Sequence, residues 1–138
     1  MKDVAYIALG SNLGEREVFL AQARRAIAAL AKTRLLAQTD AEETAPIGPI
    51  AQGPFLNQMV AIETELSPRD LLAALQRIET EAGRVRTTRW GPRTLDLDIV
   101  LFENQSVREA GLTVPHPELS NRDFWLRELA KLRSTRVG

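Results

Sequence analysis

The chain has 138 residues, 44% of them hydrophobic and 26% charged, the balance of one folded domain rather than a disordered segment. Eighteen Lys and Arg cancel eighteen Asp and Glu, so no global field draws in nucleic acid or an anionic membrane. Cysteine is absent, which excludes a disulfide scaffold, thiolate zinc sites and a cysteine nucleophile. The apolar run at 4–9 is too short for a signal peptide or a membrane span, and the expectation is a cytoplasmic protein.

Residues 4–9, apolar, partly β-branched and closed by Gly10, predict a buried strand. Residues 15–31 predict a helix: Val18, Phe19, Ala23, Ala26, Ile27 and Leu30 recur at helical spacing, and Glu15 and Glu17 suit its N-terminal dipole. A second strand is expected over 34–44. The stretch 44–54 holds three prolines and two glycines, a locally stiffened loop. Strand character returns at 55–64. Ser67 and Pro68 then open a second helix as N-cap and first-turn residue, Leu71, Leu72, Leu75 and Ile78 form its core stripe, and Gly83 ends it. Residues 84–94 form a polar loop with four arginines and no acid. The clearest strand is 95–102, with Glu103, Asn104 and Gln105 turning it into a short hairpin, and 118–132 is helical by composition. The order β-α-β-β-α-β predicts an α+β ferredoxin-like sandwich, a mostly antiparallel sheet with helices on one face.

The strand 95–102 is the most informative segment. Period-two alternation puts Leu95, Leu97, Ile99 and Leu101 on one apolar face and Asp96 and Asp98 on the other, roughly 7 Å apart. Aspartate is a poor strand former, and two like charges so close repel unless a cation lies between them. Magnesium needs only one or two carboxylates when water and substrate phosphates complete its shell. The alternative for the strand alone is two acids on a solvated sheet face. Arg84, Arg86, Arg89 and Arg93, with Trp90, Gly91 and Pro92 among them, immediately precede it. Guanidinium forks match phosphate oxygens, so a basic loop beside two acids can enclose a polyphosphate; the plain alternatives are a solvated loop or an RNA contact. Gly10 to Gly14 lacks the lysine and hydroxyl of a P-loop, and no kinase catalytic-loop pattern is present. The single histidine, His116, rules out a multi-histidine metal site.

The run RWGPRTLDLDIVLF at 89–102 resembles the signature of the 6-hydroxymethyl-7,8-dihydropterin pyrophosphokinase family. AYIALGSNLG at 5–14, FLN at 55–57, QRIE at 76–79, GRVR at 83–86, LTVPH at 112–116 and Asn121-Arg122 with Phe124 follow in the family's order. The resemblance implies one domain over 1–138 that transfers pyrophosphate from ATP to the pterin hydroxymethyl group, releasing AMP, in folate biosynthesis. It implies two magnesium ions on Asp96 and Asp98, small-molecule partners only, no nucleic acid, no membrane, and a monomer. Arg84 and Arg93 resemble the catalytic loop arginines, with Arg86 beside them, and Trp90 resembles the residue that closes over both substrates. Leu72, Gln76, Glu79, Ile99, Thr113, His116 and Arg122 match nucleotide-side positions. The pterin is expected between Phe55 and Phe124, read by Asn57 and by the chain at Thr44, Ala45 and Ile47, next to Asp96.

Phe55 stands where the family often has tyrosine, Ala45 where proline is common, and Gly111 where some members carry an ATP-binding arginine. Pro117 and Glu118 alter the segment after His116, and the chain stops soon after Leu132, short of the terminal segment that many relatives carry. The competing readings are a catalytically weak pterin- or nucleotide-binding protein of the same fold, and an RNA-binding module using the arginine loop. A pure binder has no need of paired acids with loop arginines, and neutral net charge disfavours RNA.

Overall fold

The computed structural model describes residues 2–45, 53–83 and 94–137. The chain runs β1 (Asp3–Ser11), α1 (Arg16–Ala28), β2 (Thr33–Gln38), β3 (Glu42–Thr44), β4 (Phe55–Thr64), α2 (Pro68–Glu81), β5 (Asp96–Phe102), β6 (Val107–Glu109), β7 (Leu112–Val114), a 3-10 turn (Leu119–Asn121) and α3 (Asp123–Val137). The main sheet has the order β2-β4-β1-β5, with β3 also pairing with β4. Every pair is antiparallel. This is the ferredoxin-like arrangement expected from the element order.

β1 lies between β4 and β5, and its residues 5–9 are buried on both faces, which explains their unbroken apolar run. On one face Ile7, Leu9, Val60 and Ile62 pack against Leu20 and Ile27 of α1 and Leu71 and Leu75 of α2. On the other, Tyr6, Ala8, Met59 and Ala61 pack against Trp125, Leu129 and Leu132 of α3. The expectation of helices on one face is therefore corrected: α3 covers the second face, and its apolar positions 125, 129 and 132 recur at helical spacing.

α2 forms as its caps dictate. The Ser67 hydroxyl accepts the Asp70 N–H at 3.1 Å, Pro68 occupies the first turn, and Gly83 follows the helix with φ +81°. α1 is shorter than the pattern 15–31, ending at Ala28 before Lys32 takes a positive φ of 56°. The strand expected at 34–44 is two strands. Between them, side chains supplement a single backbone bond: Thr39 N–H donates to the Met59 carbonyl at 2.9 Å, the Thr39 hydroxyl accepts the Met59 N–H at 3.0 Å, and the Gln58 amide donates to the Thr39 carbonyl.

The expected alternation along 95–102 holds only as far as Ile99. Ile99 pairs with Ile7 and Leu101 with Tyr6, leaving Val100 as an extra residue. This bulge exchanges the faces beyond it. Phe102 joins the α1/α2 core, while Val100 and Leu101 pack on the α3 side. The hairpin also lies later than expected, between β6 and β7, where Gly111 takes φ +76° at the turn. Asn104 and Gln105 instead dock on the buried Asp3 carboxylate, which accepts the Asn104 side-chain amide at 2.9 Å and that of Gln105 at 3.1 Å. The expected helix over 118–132 resolves into the 3-10 turn and α3.

Candidate active site

Paired residues of neighbouring strands present their side chains to the same face. Gly10 in β1 pairs with Asn57 on one side and Asp96 on the other, and Ala8 pairs likewise with Met59 and Asp98. Ala8 and Met59 belong to the α3-side core, so Asn57, Gly10, Asp96 and Asp98 all face that side at one end of the sheet. Asp96 and Asp98 are half-buried. A Cβ at position 10 would lie 3.2 Å from Asn57 Oδ1 and 3.5 Å from Phe55 Cδ1. Glycine there gives these two side chains their room, a role that its place in AYIALGSNLG does not by itself reveal. Asn57 donates to the Thr44 hydroxyl, and Thr44 pairs with Phe55 across β3 and β4.

His116 follows the cis peptide Val114–Pro115 and lies against the edge strand β5, its N–H donating to the Val100 carbonyl at 2.9 Å. Its Nδ1 accepts the Glu118 N–H at 3.1 Å, which assigns the ring proton to Nε2. Nε2 faces Asp98 Oδ1 at 3.6 Å, beyond hydrogen-bond length and close enough for electrostatic attraction. The imidazole packs edge-on to Trp125 at 4.9 Å between centroids, and the Arg122 guanidinium lies 4.3 Å above the same indole. Phe124 touches it edge-on at 6.2 Å. Trp125, itself 2% exposed, is thus the common support of three expected site residues. Sequence reading missed it, because a buried tryptophan in a helix reads as core.

Glu79 projects from α2 and is buried; its Oε2 accepts the Leu97 N–H at 2.7 Å. It therefore grips the backbone of β5 between the two aspartates. Leu72 and Ile99 lie in the core between α2 and β5, and Gln76 and Thr113 are exposed on α2 and β7. The expected residues thus fall into two groups. Phe55, Asn57, Thr44 and Phe124 lie on the α3 side. Leu72, Gln76, Glu79, Ile99 and Thr113 lie on α2, β5 and β7, and the aspartates stand on the strand between the groups. Ala45 is exposed just after β3. Ile47, Arg84, Arg86, Arg89, Trp90 and Arg93 lie outside the described residues.

Among the described residues no three His, Asp or Glu side chains converge as a metal cage. Two carboxylates without a cage fit magnesium, which keeps water and phosphate oxygens in its shell, and do not fit zinc, which takes three or four protein donors. No described helix is long and apolar enough to cross a membrane.

Known proteins resemble this chain over most of its length. Several curated relatives carry the name 2-amino-4-hydroxy-6-hydroxymethyldihydropteridine pyrophosphokinase. The one from Bacillus subtilis is 46% identical over 132 residues, covering 96% of this chain and 79% of the relative. The one from Pseudomonas aeruginosa is 49% identical over 127 residues, covering 92% and 78%. A solved HPPK-DHPS structure in complex with substrates superposes with a TM-score of 0.59 at 15% identity. It covers 79% of this chain and 29% of that longer one, and shows the fold alone. The model of the 7,8-dihydro-6-hydroxymethylpterin-pyrophosphokinase family matches residues 6–134, and with relatives of this identity along nearly its whole length, the chain belongs to that family.

Proposed function

We propose that the protein transfers the pyrophosphoryl group of ATP to the hydroxymethyl oxygen of 6-hydroxymethyl-7,8-dihydropterin, with Asp96 and Asp98 as the ligands of two magnesium ions. The observation that carries this assignment is the shared row of Asn57, Gly10 and Asp96, with Asp98 beside it facing His116. It supports a reading in which a flat-ligand pocket adjoins a pair of hard oxygen donors.

Release of AMP requires the new bond to form at the β-phosphorus while the link to the α-phosphate breaks. Charge on all three phosphates must be held during that exchange, and positioning and electrostatics carry most of such catalysis. Bound magnesium supplies positive charge to the phosphate oxygens and to the attacking hydroxyl. The chain does the rest. Phe55 and Phe124 stack on the two faces of the pterin, as planar rings favour. Asn57 offers its amide to the polar edge, with Thr44, Ala45 and Ile47 completing that side. ATP lies along α2, β5 and β7, against Leu72, Gln76, Ile99 and Thr113. His116 Nε2–H and Arg122 serve its phosphates, joined by Arg84, Arg86 and Arg93, with Trp90 closing over both substrates. Glu79 acts through the backbone of Leu97, fixing the spacing of the two aspartates.

Single-turnover transfer tests the assignment. Asp96→Asn and Asp98→Asn should each slow pyrophosphoryl transfer by about 100- to 1,000-fold or more, the usual cost of removing a preorganised electrostatic group, with thermal unfolding unchanged. Transfer near the wild-type rate in either variant would contradict the proposed metal ligands.

A further inference from the structure

Arg16 breaks a local rule. It is the first residue of α1, where the helix dipole disfavours a cation. Its side chain turns away from the helix and spans two other segments. Nη1 donates to the Pro54 carbonyl at 3.0 Å, and Nη2 donates to Glu43 Oε1 at 2.6 Å. Asn12, in the turn before α1, adds a third tie by donating to the Gly53 carbonyl at 3.2 Å. Glu43 directly precedes Thr44, and Pro54 directly precedes Phe55, the two residues that close the β3–β4 pairing.

We infer that Arg16 is a positioning residue for the pterin: its guanidinium locks the end of β3 to the start of β4 and so sets the place of Phe55 and the Thr44–Asn57 pair. This rests on the pterin reading of that pocket given above. A planar fork is suited to the task because it can hold a carboxylate and a carbonyl at once in fixed relative positions, which a lysine ammonium does poorly. The role is one of placement rather than stability. The side chains of Arg16 and Glu43 are 28% and 57% exposed, and exposed ion pairs of this kind add little to folding. A helix that begins with an unfavourable charge and gains little stability from it is a local conflict of the sort that accompanies function.

Steady-state kinetics in both substrates decide the matter. Arg16→Ala should raise KM for the pterin about five- to tenfold while KM for ATP and kcat stay within about twofold. Arg16→Lys should recover part of the loss. Glu43→Gln should weaken pterin binding in the same direction, and combining it with Arg16→Ala should add less than the sum of the two. Arg34→Ala, which removes an exposed pair with Glu63 at 3.6 Å on β2 and β4, should change none of these values. Phe55→Ala separates the two ways of failing. If Phe55→Ala raises the pterin KM and Arg16→Ala does not, the positioning role is overturned and the pocket stands. If neither variant changes it, the pterin reading of the pocket falls and the inference falls with it. An equal rise in both KM values for Arg16→Ala would mark a general structural defect and overturn the specific role.

Discussion

Glu79 and Asp98 are carboxylates on opposite sides of the same strand, and their surroundings give them opposite tasks. Glu79 is 5% exposed and spends an oxygen on the Leu97 N–H; Asp98 is half-buried and faces an imidazole N–H across 3.6 Å. Both were visible in the sequence as acids of the family pattern, but only three-dimensional packing separates the one that holds backbone from the one that stays half-exposed beside His116. Trp125 and Gly10 are the converse case. Neither carries chemistry: Trp125 lay in no motif and Gly10 only closed a strand within AYIALGSNLG, yet Trp125 seats His116 and Arg122, and Gly10 leaves the space that Phe55 and Asn57 occupy. Trp125→Ala should therefore destabilise the fold by about 3–5 kcal/mol in urea unfolding, the range for truncating a large buried aromatic residue. A cost below about 1 kcal/mol would mean that the ring is not the keystone of the α3 side.

Elements were legible where local chemistry determines them. α2 carries its own cap, first-turn proline and terminal glycine, and it forms where they say. The Val100 bulge was not legible, because whether a strand keeps or loses its alternation depends on the partner it pairs with, here β1. The second face was missed for a related reason. The stripe of α3 is Trp125, Glu128, Leu129 and Leu132, and a glutamate inside it disguises the pattern. Glu128 is 3% exposed, and among the described residues neither of its carboxylate oxygens has a hydrogen-bond partner. Burial, reinforced by the neighbouring Glu42 and opposed by Arg127 and Lys131, raises its pKa from 4.5 to about 8. The folded protein thus keeps a proton that the unfolded chain releases. The stability tied to that proton is fully present below pH 4.5 and is lost as pH rises through about 8. Glu128→Gln should remove this slope, so the variant gains on the wild type in urea unfolding as pH goes from about 5 to about 8. Parallel stability profiles for the two proteins would contradict a protonated, buried Glu128.

At the scale of the whole molecule, one sheet serves two helical layers and one reaction. The face covered by α1 and α2 carries Leu72, Gln76 and Glu79, proposed for the nucleotide; the face covered by α3 carries Phe124 and, beside Gly10, Phe55, proposed for the pterin. β5 belongs to both, with Leu97 and Ile99 turned to one layer and Asp96 and Asp98 to the other. The fold class followed from the order of strands and helices, and the paired acids were readable from period-two spacing alone. The link between the two faces through one strand needed the sheet order. The central claim is that this arrangement moves a pyrophosphoryl group rather than a single phosphoryl group. The most direct test follows ATP with the purified protein, magnesium and 6-hydroxymethyl-7,8-dihydropterin, against mixtures lacking each component. AMP and pterin diphosphate should form in equal amounts from the complete mixture alone. ADP as the nucleotide product, or no turnover from folded protein in the complete mixture, would contradict it.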